Sequence, residues 1–159
     1  MDAGLGPLEL YHVGIAVHDL EDGMRRFGDL LGVGSWVPFE AALPSRYRGR
    51  DVTMGAKAAY GDAGAIYVEL VQPTGDRWTA SAFLEERGEG IYHLGYWCDD
   101  VPAAIARASD QGLGVDLATE ADGVPFVVYL EASGGVHVEL VATSIKPILQ
   151  KQFGIAPKP

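Results

Sequence analysis

Polar and apolar positions along the chain fall into two similar runs. Residues 9–17 and 91–98 are short, mostly apolar stretches that read as strands. Each leads into a segment with apolar residues at helical spacing. In the first, about 20–31, Leu20, Met24, Phe27, Leu30 and Leu31 form one stripe, Asp19 stands where an N-cap belongs, and Gly32 stops it. In the second, about 101–111, Val101, Ile105 and Ala108 share a face, Asp100 is the cap, Pro102 lies in the first turn and Gly112 ends it. Three more strands are predicted after each helix, at about 34–40, 51–60 and 64–72, then at about 114–118, 124–131 and 136–142. Gly61-Asp62 and Gly134-Gly135 are hairpin-type turns. The stretch 73–90 joins the runs and carries a predicted short helix at 79–87. Residues 143–159 hold three prolines and little periodicity, so the expectation is a loosely held tail.

The likeness extends to the residues themselves. YHVGIAVHDL at 11–20 returns as YHLGYWCDDV at 92–101, 81 positions later, and IYVELV at 66–71 returns as VHVELV at 136–141, 70 positions later. The first copy therefore holds eleven extra residues, and the Pro/Arg/Gly-rich stretch 41–51 is the expected loop that contains them. The reading is one α+β domain over residues 1–159, built from two tandem β-α-β-β-β modules at 8–72 and 91–142. One module cannot bury both faces of its own small sheet. Two can share a curved mixed sheet, with helices on the outer face and a concave cleft within.

Composition narrows the function. Acidic residues outnumber basic ones 22 to 12, for a formal charge of −10. Such a surface repels phosphate backbones and anionic lipid, so no nucleic-acid or membrane partner is expected, and a small molecule is. Cys98 is the one cysteine, which excludes an internal disulfide and a cysteine-based zinc site. The opening Met-Asp-Ala-Gly has no secretory character and no apolar run nears the length of a membrane span, so a cytoplasmic protein is expected.

Strand alternation points to the chemistry. In 66–71, Tyr67, Glu69 and Val71 share a face opposite Ile66, Val68 and Leu70; in 136–141, His137, Glu139 and Val141 share a face opposite Val136, Val138 and Leu140. The Ile/Val/Leu faces suit the helix-covered core, so Glu69 and Glu139 face the concave side. His12 lies with Gly14 and Ala16, and His93 with Gly95 and Trp97, where small neighbours are expected to leave room for a ligand. Singly, each Glu reads as a solvent-facing strand residue and each His as a surface or capping residue; jointly, one His and one Glu per copy at matching positions make a metal site. Two imidazoles and two carboxylates suit a divalent ion such as Co, Mn, Ni, Zn, Fe or Mg, whose charge the carboxylates cancel.

The motifs HVGIAVHDL, VELVQP, FLEERGEGIYHLGY and GGVHVELV resemble the vicinal oxygen chelate superfamily (glyoxalase, bleomycin-resistance and dioxygenase proteins) over about residues 8–142. The resemblance implies paired β-α-β-β-β modules, a divalent metal on His12, Glu69, His93 and Glu139, and a homodimer. FLEERGEGIYHL followed by GGVHVELV is most similar to the methylmalonyl-CoA epimerase branch. Glu69 departs toward glyoxalase I, since those epimerases often carry Gln there. The resemblance also suggests Glu40 as a catalytic carboxylate, weighed against a solvated strand-end Glu.

The cleft is expected to be lined by Tyr67, Trp97 and His137. Arg46, Arg48 and Arg50 form a basic cluster suited to a carboxylate or phosphate, with Arg48 the pocket candidate. The expected activity is a metal-dependent epimerase or isomerase that takes a proton next to a carbonyl through Glu69, Glu139 or Glu40, leaving an enolate. A glyoxalase-type lyase is the alternative, and a metal-free small-molecule binding or resistance protein is a second. A ring-cleaving dioxygenase fits less well, because a fourth protein ligand fills a position that oxygen chemistry keeps open.

Overall fold

The computed structural model describes residues 4–158; the first three residues and the last, part of the start and tail read above, lie outside the described residues. The order β-α-β-β-β occurs twice. The first set is β1 (Leu8–Ala16), α1 (Leu20–Leu31), β2 (Trp36–Tyr47), β3 (Arg50–Asp62) and β4 (Tyr67–Gly75). After α2 (Thr79–Arg87) comes β5 (Gly90–Cys98), α3 (Val101–Asp110), β6 (Val115–Ala121), β7 (Val124–Ser133) and β8 (Val136–Ala142). A 3-10 turn, Thr143–Ile145, leads to α4 (Lys146–Phe153). Among the described residues, no helix is long and apolar enough to cross a membrane.

All eight strands form one mixed sheet that curves until it closes, in the order β1-β4-β3-β2-β6-β7-β8-β5, with β5 pairing back to β1. The β1–β4 and β5–β8 pairs are parallel and the rest antiparallel. Closure between β2 and β6 takes two residue pairs, Arg46↔Ala118 and Tyr47↔Leu117, beside a buried hydroxyl pair, Ser45 and Thr119, at 2.7 Å.

Helices α1 and α3 cover the outside. Asp19 accepts the Asp22 amide at 2.8 Å, and Gly32 ends α1 in the left-handed region at φ 68°. Asp100 caps α3 through the Ala103 amide at 2.9 Å. Val68 and Leu70 pack under Leu20, Met24 and Phe27; Leu140 and Val138 pack with Val101, Ala104 and Ala108. Each fully buried aliphatic chain contributes about 1.5–3 kcal/mol. This is the outward Ile/Val/Leu face that alternation predicts, so the opposite face of β4 and β8 lines the interior.

Two elements differ from expectation. Residues 41–51 are not a loop: β2 runs to Tyr47 and turns into β3 through Arg48-Gly49, and the extra residues lengthen β2 and β3 to 12 and 13 residues, against 7 and 10 in β6 and β7. Pro38 and Pro44 are tolerated because most of β2 has no second neighbour, so no ladder bond is lost on that side. The tail is not loose either. It folds into α4 and delivers Phe153 and Ile155, both buried, into one end of the barrel. There Phe153 packs on Phe39 at 4.3 Å and Tyr60 at 5.6 Å, and the Tyr67 hydroxyl accepts the Ala156 amide at 2.8 Å. Ile145, Leu149 and Phe153, four residues apart, pack in this cluster with Ile155. A stripe of three in a proline-bounded stretch is too short to read as a helix from the sequence.

Candidate metal centre

Both histidines depend on irregularities in the sheet. Along the β1–β5 ladder Leu10 pairs with Tyr96 and His12 with Gly95, so Tyr11 is an extra residue; Gly14 pairs with His93 and Ile15 with Ile91, so Tyr92 is another. These bulges let both members of each Tyr-His pair be buried, where strict alternation would expose one. The glycines have a different use from the one expected. A Cβ on Gly95 would lie 1.9 Å from the His12 ring, and one on Gly14 1.9 Å from the His93 ring. The room left by each glycine is filled by the imidazole of the other copy, not by a ligand.

The four donors converge from four strands inside the barrel. His12 Nε2 and His93 Nε2 are 2.6 Å apart. Glu69 Oε2 lies 3.2 Å from His12 Nε2 and 3.4 Å from His93 Nε2; Glu139 Oε2 lies 3.1 and 3.4 Å from them. All four ligand atoms fall within 4.8 Å of one another, and all four residues are buried. Donors about 2.0–2.2 Å from one ion stand about 3 Å apart along the edges of its coordination shell, which these spacings approach.

Electrostatics favour a cation here. Two buried carboxylates are costly without a positive partner. Burial works against a charge on His12, but Glu139 and Glu69 outweigh it and raise its pKa to about 9. Burial likewise opposes ionisation of Glu69, but hydrogen bonds from His12 and His93 hold it at about 2. Glu139 Oε2 lacks a well-directed donor among the described residues. An under-satisfied buried oxygen, two imidazole nitrogens aimed at each other and two carboxylates fit a divalent ion. His12, Glu69, His93 and Glu139 could hold one.

Tyrosines wall the centre. Tyr11 and Tyr60 stand edge-on to His12 at 4.3 and 5.6 Å, and Tyr92 and Tyr129 edge-on to His93 at 4.4 and 5.3 Å. Burial, reinforced by the nearby carboxylates, raises all four phenols well above their usual range, so they stay protonated at neutral pH. Tyr60 and Tyr129 pair directly with Glu69 and Glu139 across their ladders, a correspondence that the long β2–β3 hairpin conceals in the sequence.

The remaining candidates are not all brought together. Glu40 is exposed on the outer side of β2, paired with Lys57 and facing away from the centre. Glu40 is thus not brought to the four-residue cluster, for neighbouring Phe39 takes the inward face. Trp97 stacks on Tyr11 at 3.9 Å and Tyr67 binds the tail, so both belong to the aromatic packing at the α4 end rather than to an open cleft wall. His137 and Arg48 meet at the opposite end. Arg46 pairs with Asp51 at the surface, and Cys98 is buried under α3. Asp116 and Thr79 lie between Arg48 and His137 and carry no sequence signal: alternation puts Asp116 on the solvent face, and an irregularity between Val115 and Leu117 turns it inward.

Residues 11–128 match the family model of the Glyoxalase/Bleomycin resistance protein/Dioxygenase superfamily, and the chain belongs to that superfamily of vicinal oxygen chelate proteins. It is 30% identical over 139 residues to the mitochondrial methylmalonyl-CoA epimerase of Mus musculus, a match covering 82% of this chain and 71% of that one. It is 26% identical over 102 residues to the uncharacterized protein YqjC of Bacillus subtilis (strain 168), covering 64% of this chain and 66% of that protein. In structure it is similar to methylmalonyl-CoA epimerase from Mycobacterium tuberculosis (TM-score 0.61, 24% identity, covering 93% and 95% of the two chains). It is also similar to a Streptomyces coelicolor methylmalonyl-CoA epimerase variant in complex with 2-nitronate-propionyl-CoA (TM-score 0.57, 25% identity, 85% and 96%). Within the superfamily the chain falls in the epimerase-like branch.

Proposed function

We propose that the protein is a metal-dependent epimerase or isomerase that removes a proton from the carbon next to a carbonyl of a small acyl substrate. The convergence of His12, Glu69, His93 and Glu139 inside the barrel is the observation that carries this reading. When bound, a divalent ion would supply Lewis acidity to the oxygen of the enolate that proton loss creates. His12 and His93 hold that position and keep its geometry rigid. His12, His93 and Glu69 would hold the ion while Glu139, with the less satisfied oxygen, gives up its place as a ligand and takes the proton at Oε2. Returned by Glu139 to the neighbouring atom, that proton isomerises the substrate; returned to the other face of the planar enolate, it inverts the carbon. The tyrosine wall excludes water, which keeps the carbanionic species from being quenched at random.

The substrate assigned is a 2-substituted acyl thioester of the methylmalonyl-CoA kind, supported by the epimerase relatives. The test is deuterium wash-in from heavy water with metal-loaded protein. Exchange at C2 of methylmalonyl-CoA above the uncatalysed rate, lost in His93→Ala, is expected. Exchange into a hemithioacetal alone would instead establish the glyoxalase-type lyase, which the two-carboxylate ligand set also suits. Exchange into neither would remove both substrates.

A further inference from the structure

The centre is nearly two-fold symmetric, but the two ends of the barrel are not. His12 pairs across β1–β4 with Tyr67, and His93 pairs across β5–β8 with His137. Tyr67 is occupied by the tail, which seals its end. His137 instead borders a cavity of about 360 Å³ between α2 and the strand ends. Its wall includes Thr79, Phe83 and Arg87 from α2, facing Arg48, Asp116 and His137. One aromatic layer separates it from the metal centre: Tyr92 lies 6.0 Å from Phe83 and 4.4 Å from His93, between ring centroids.

Asp116 organises this cavity. It is 3% exposed and gathers three groups: Arg48 Nε donates to Oδ1 at 2.7 Å, Thr79 Oγ1 donates to Oδ2 at 2.8 Å, and His137 Nε2 stands 3.4 Å from Oδ2. Arg48 also donates its amide to the Asp116 carbonyl at 2.9 Å. Arg48 is held at φ 47° in a two-residue hairpin turn, a place where Asn or Gly is preferred. A left-handed arginine in such a turn breaks a local rule, as residues placed for a task do.

The charges at the wall are unequally satisfied. Glu131 accepts the Gly114 amide at 3.1 Å, Glu86 lies 3.6 Å from Arg77, and Asp116 has its three partners. Arg87 has no carboxylate partner among the described residues, and Arg48 is engaged by Asp116 through Nε. The wall carries three carboxylates against two guanidiniums, but each carboxylate is engaged, so Arg87 and the free Nη edge of Arg48 are the donors left at the cavity.

We infer that this cavity is an oxyanion subsite: Arg48 and Arg87 take a carboxylate or phosphate group, and Asp116 is the positioning residue that sets Arg48 and His137. The guanidinium fork suits either anion. For its place in catalysis the subsite rests on the proposed reaction, its anion standing one aromatic layer, Tyr92 and Phe83, from the His/Glu centre.

The test is calorimetric titration of the purified protein with inorganic phosphate and, separately, with malonate. One equivalent of saturable binding by at least one anion is expected, and the arm that binds identifies the group as phosphate or carboxylate. Arg48→Met and Arg87→Met should each weaken it by about tenfold or more. Asp116→Asn, which keeps both arginines and the side-chain shape, should weaken it comparably while circular dichroism remains native. Arg25→Met on α1 should leave it unchanged. If a methionine variant does not fold, Arg48→Lys and Arg87→Lys, which keep the charge and lose the fork, are expected to weaken binding in a folded protein. No saturable binding of either anion, or affinity indifferent to Arg48 and Arg87, overturns the assignment. His12→Ala should lose metal and keep anion binding; intact binding without deuterium exchange would remove the proposed reaction and leave the subsite.

Discussion

Gly14 and Gly95 show how closely the two copies are fitted. Each lies flat against the imidazole that the other copy sends across the β1–β5 ladder, with no space for a methyl group. Gly14→Ala and Gly95→Ala should each cost about 1–3 kcal/mol in urea unfolding, the ordinary range for overpacking. Each should also abolish stoichiometric metal uptake by elemental analysis, because the displaced ring no longer points at the centre. A folded variant with full metal content would refute that seating. At this scale the sequence was informative where a feature occurred twice. The repeated Tyr-His, Gly and Glu picked out the four side chains that meet inside the barrel, but single-copy residues did not declare themselves. Nothing around Asp116 or Thr79 suggests that a hairpin arginine and an imidazole converge on them. Glu40 looked usable until Phe39 took the inward position beside it.

At the scale of elements, strands and helices with clear periodicity were legible, while those shaped by sheet edges were not. The prolines of β2 resembled loop composition because nothing local shows that one side of a strand lacks a partner. Asp116 links four of these elements, since it binds the β2–β3 turn, α2 and β8 from its place on β6. Burial opposes its ionisation, but the hydrogen bonds from His137, Arg48 and Thr79 prevail and hold it at about 2, against 3.8 when unperturbed. A carboxylate depressed in the fold contributes stability above its unfolded pKa and loses it as pH falls toward the folded one. Stability against urea should therefore fall between about pH 4 and pH 2, and Asp116→Asn should flatten that part of the profile relative to wild type. An unchanged acid slope would show that the clasp adds nothing.

Over the whole molecule, duplication made the fold readable, for two copies of one pattern imply a shared sheet with paired chemistry inside. The closing of that sheet and the sealing of one end by α4 were not readable, since both depend on contacts between residues far apart in sequence. A centre enclosed in this way ties metal binding to the integrity of the barrel. Zinc or cobalt at about a hundred times its dissociation constant should add about 2.7 kcal/mol of stability. In a chain of this size that raises the melting temperature by about 5–10 °C. A chelator should reverse the rise, and His12→Ala should never show it. A melting temperature indifferent to metal would mean that the enclosed donors do not bind it.

The exchanged seating of the histidines bears on ancestry. Within either half alone, the imidazole has no hollow to occupy and the glycine has nothing to accommodate. Two identical half-length chains related by a dyad would satisfy both requirements at once, each ring resting on the other's glycine. The ends of the barrel lie outside this mutual constraint, and there the halves differ: one is plugged by the tail, the other borders a cavity.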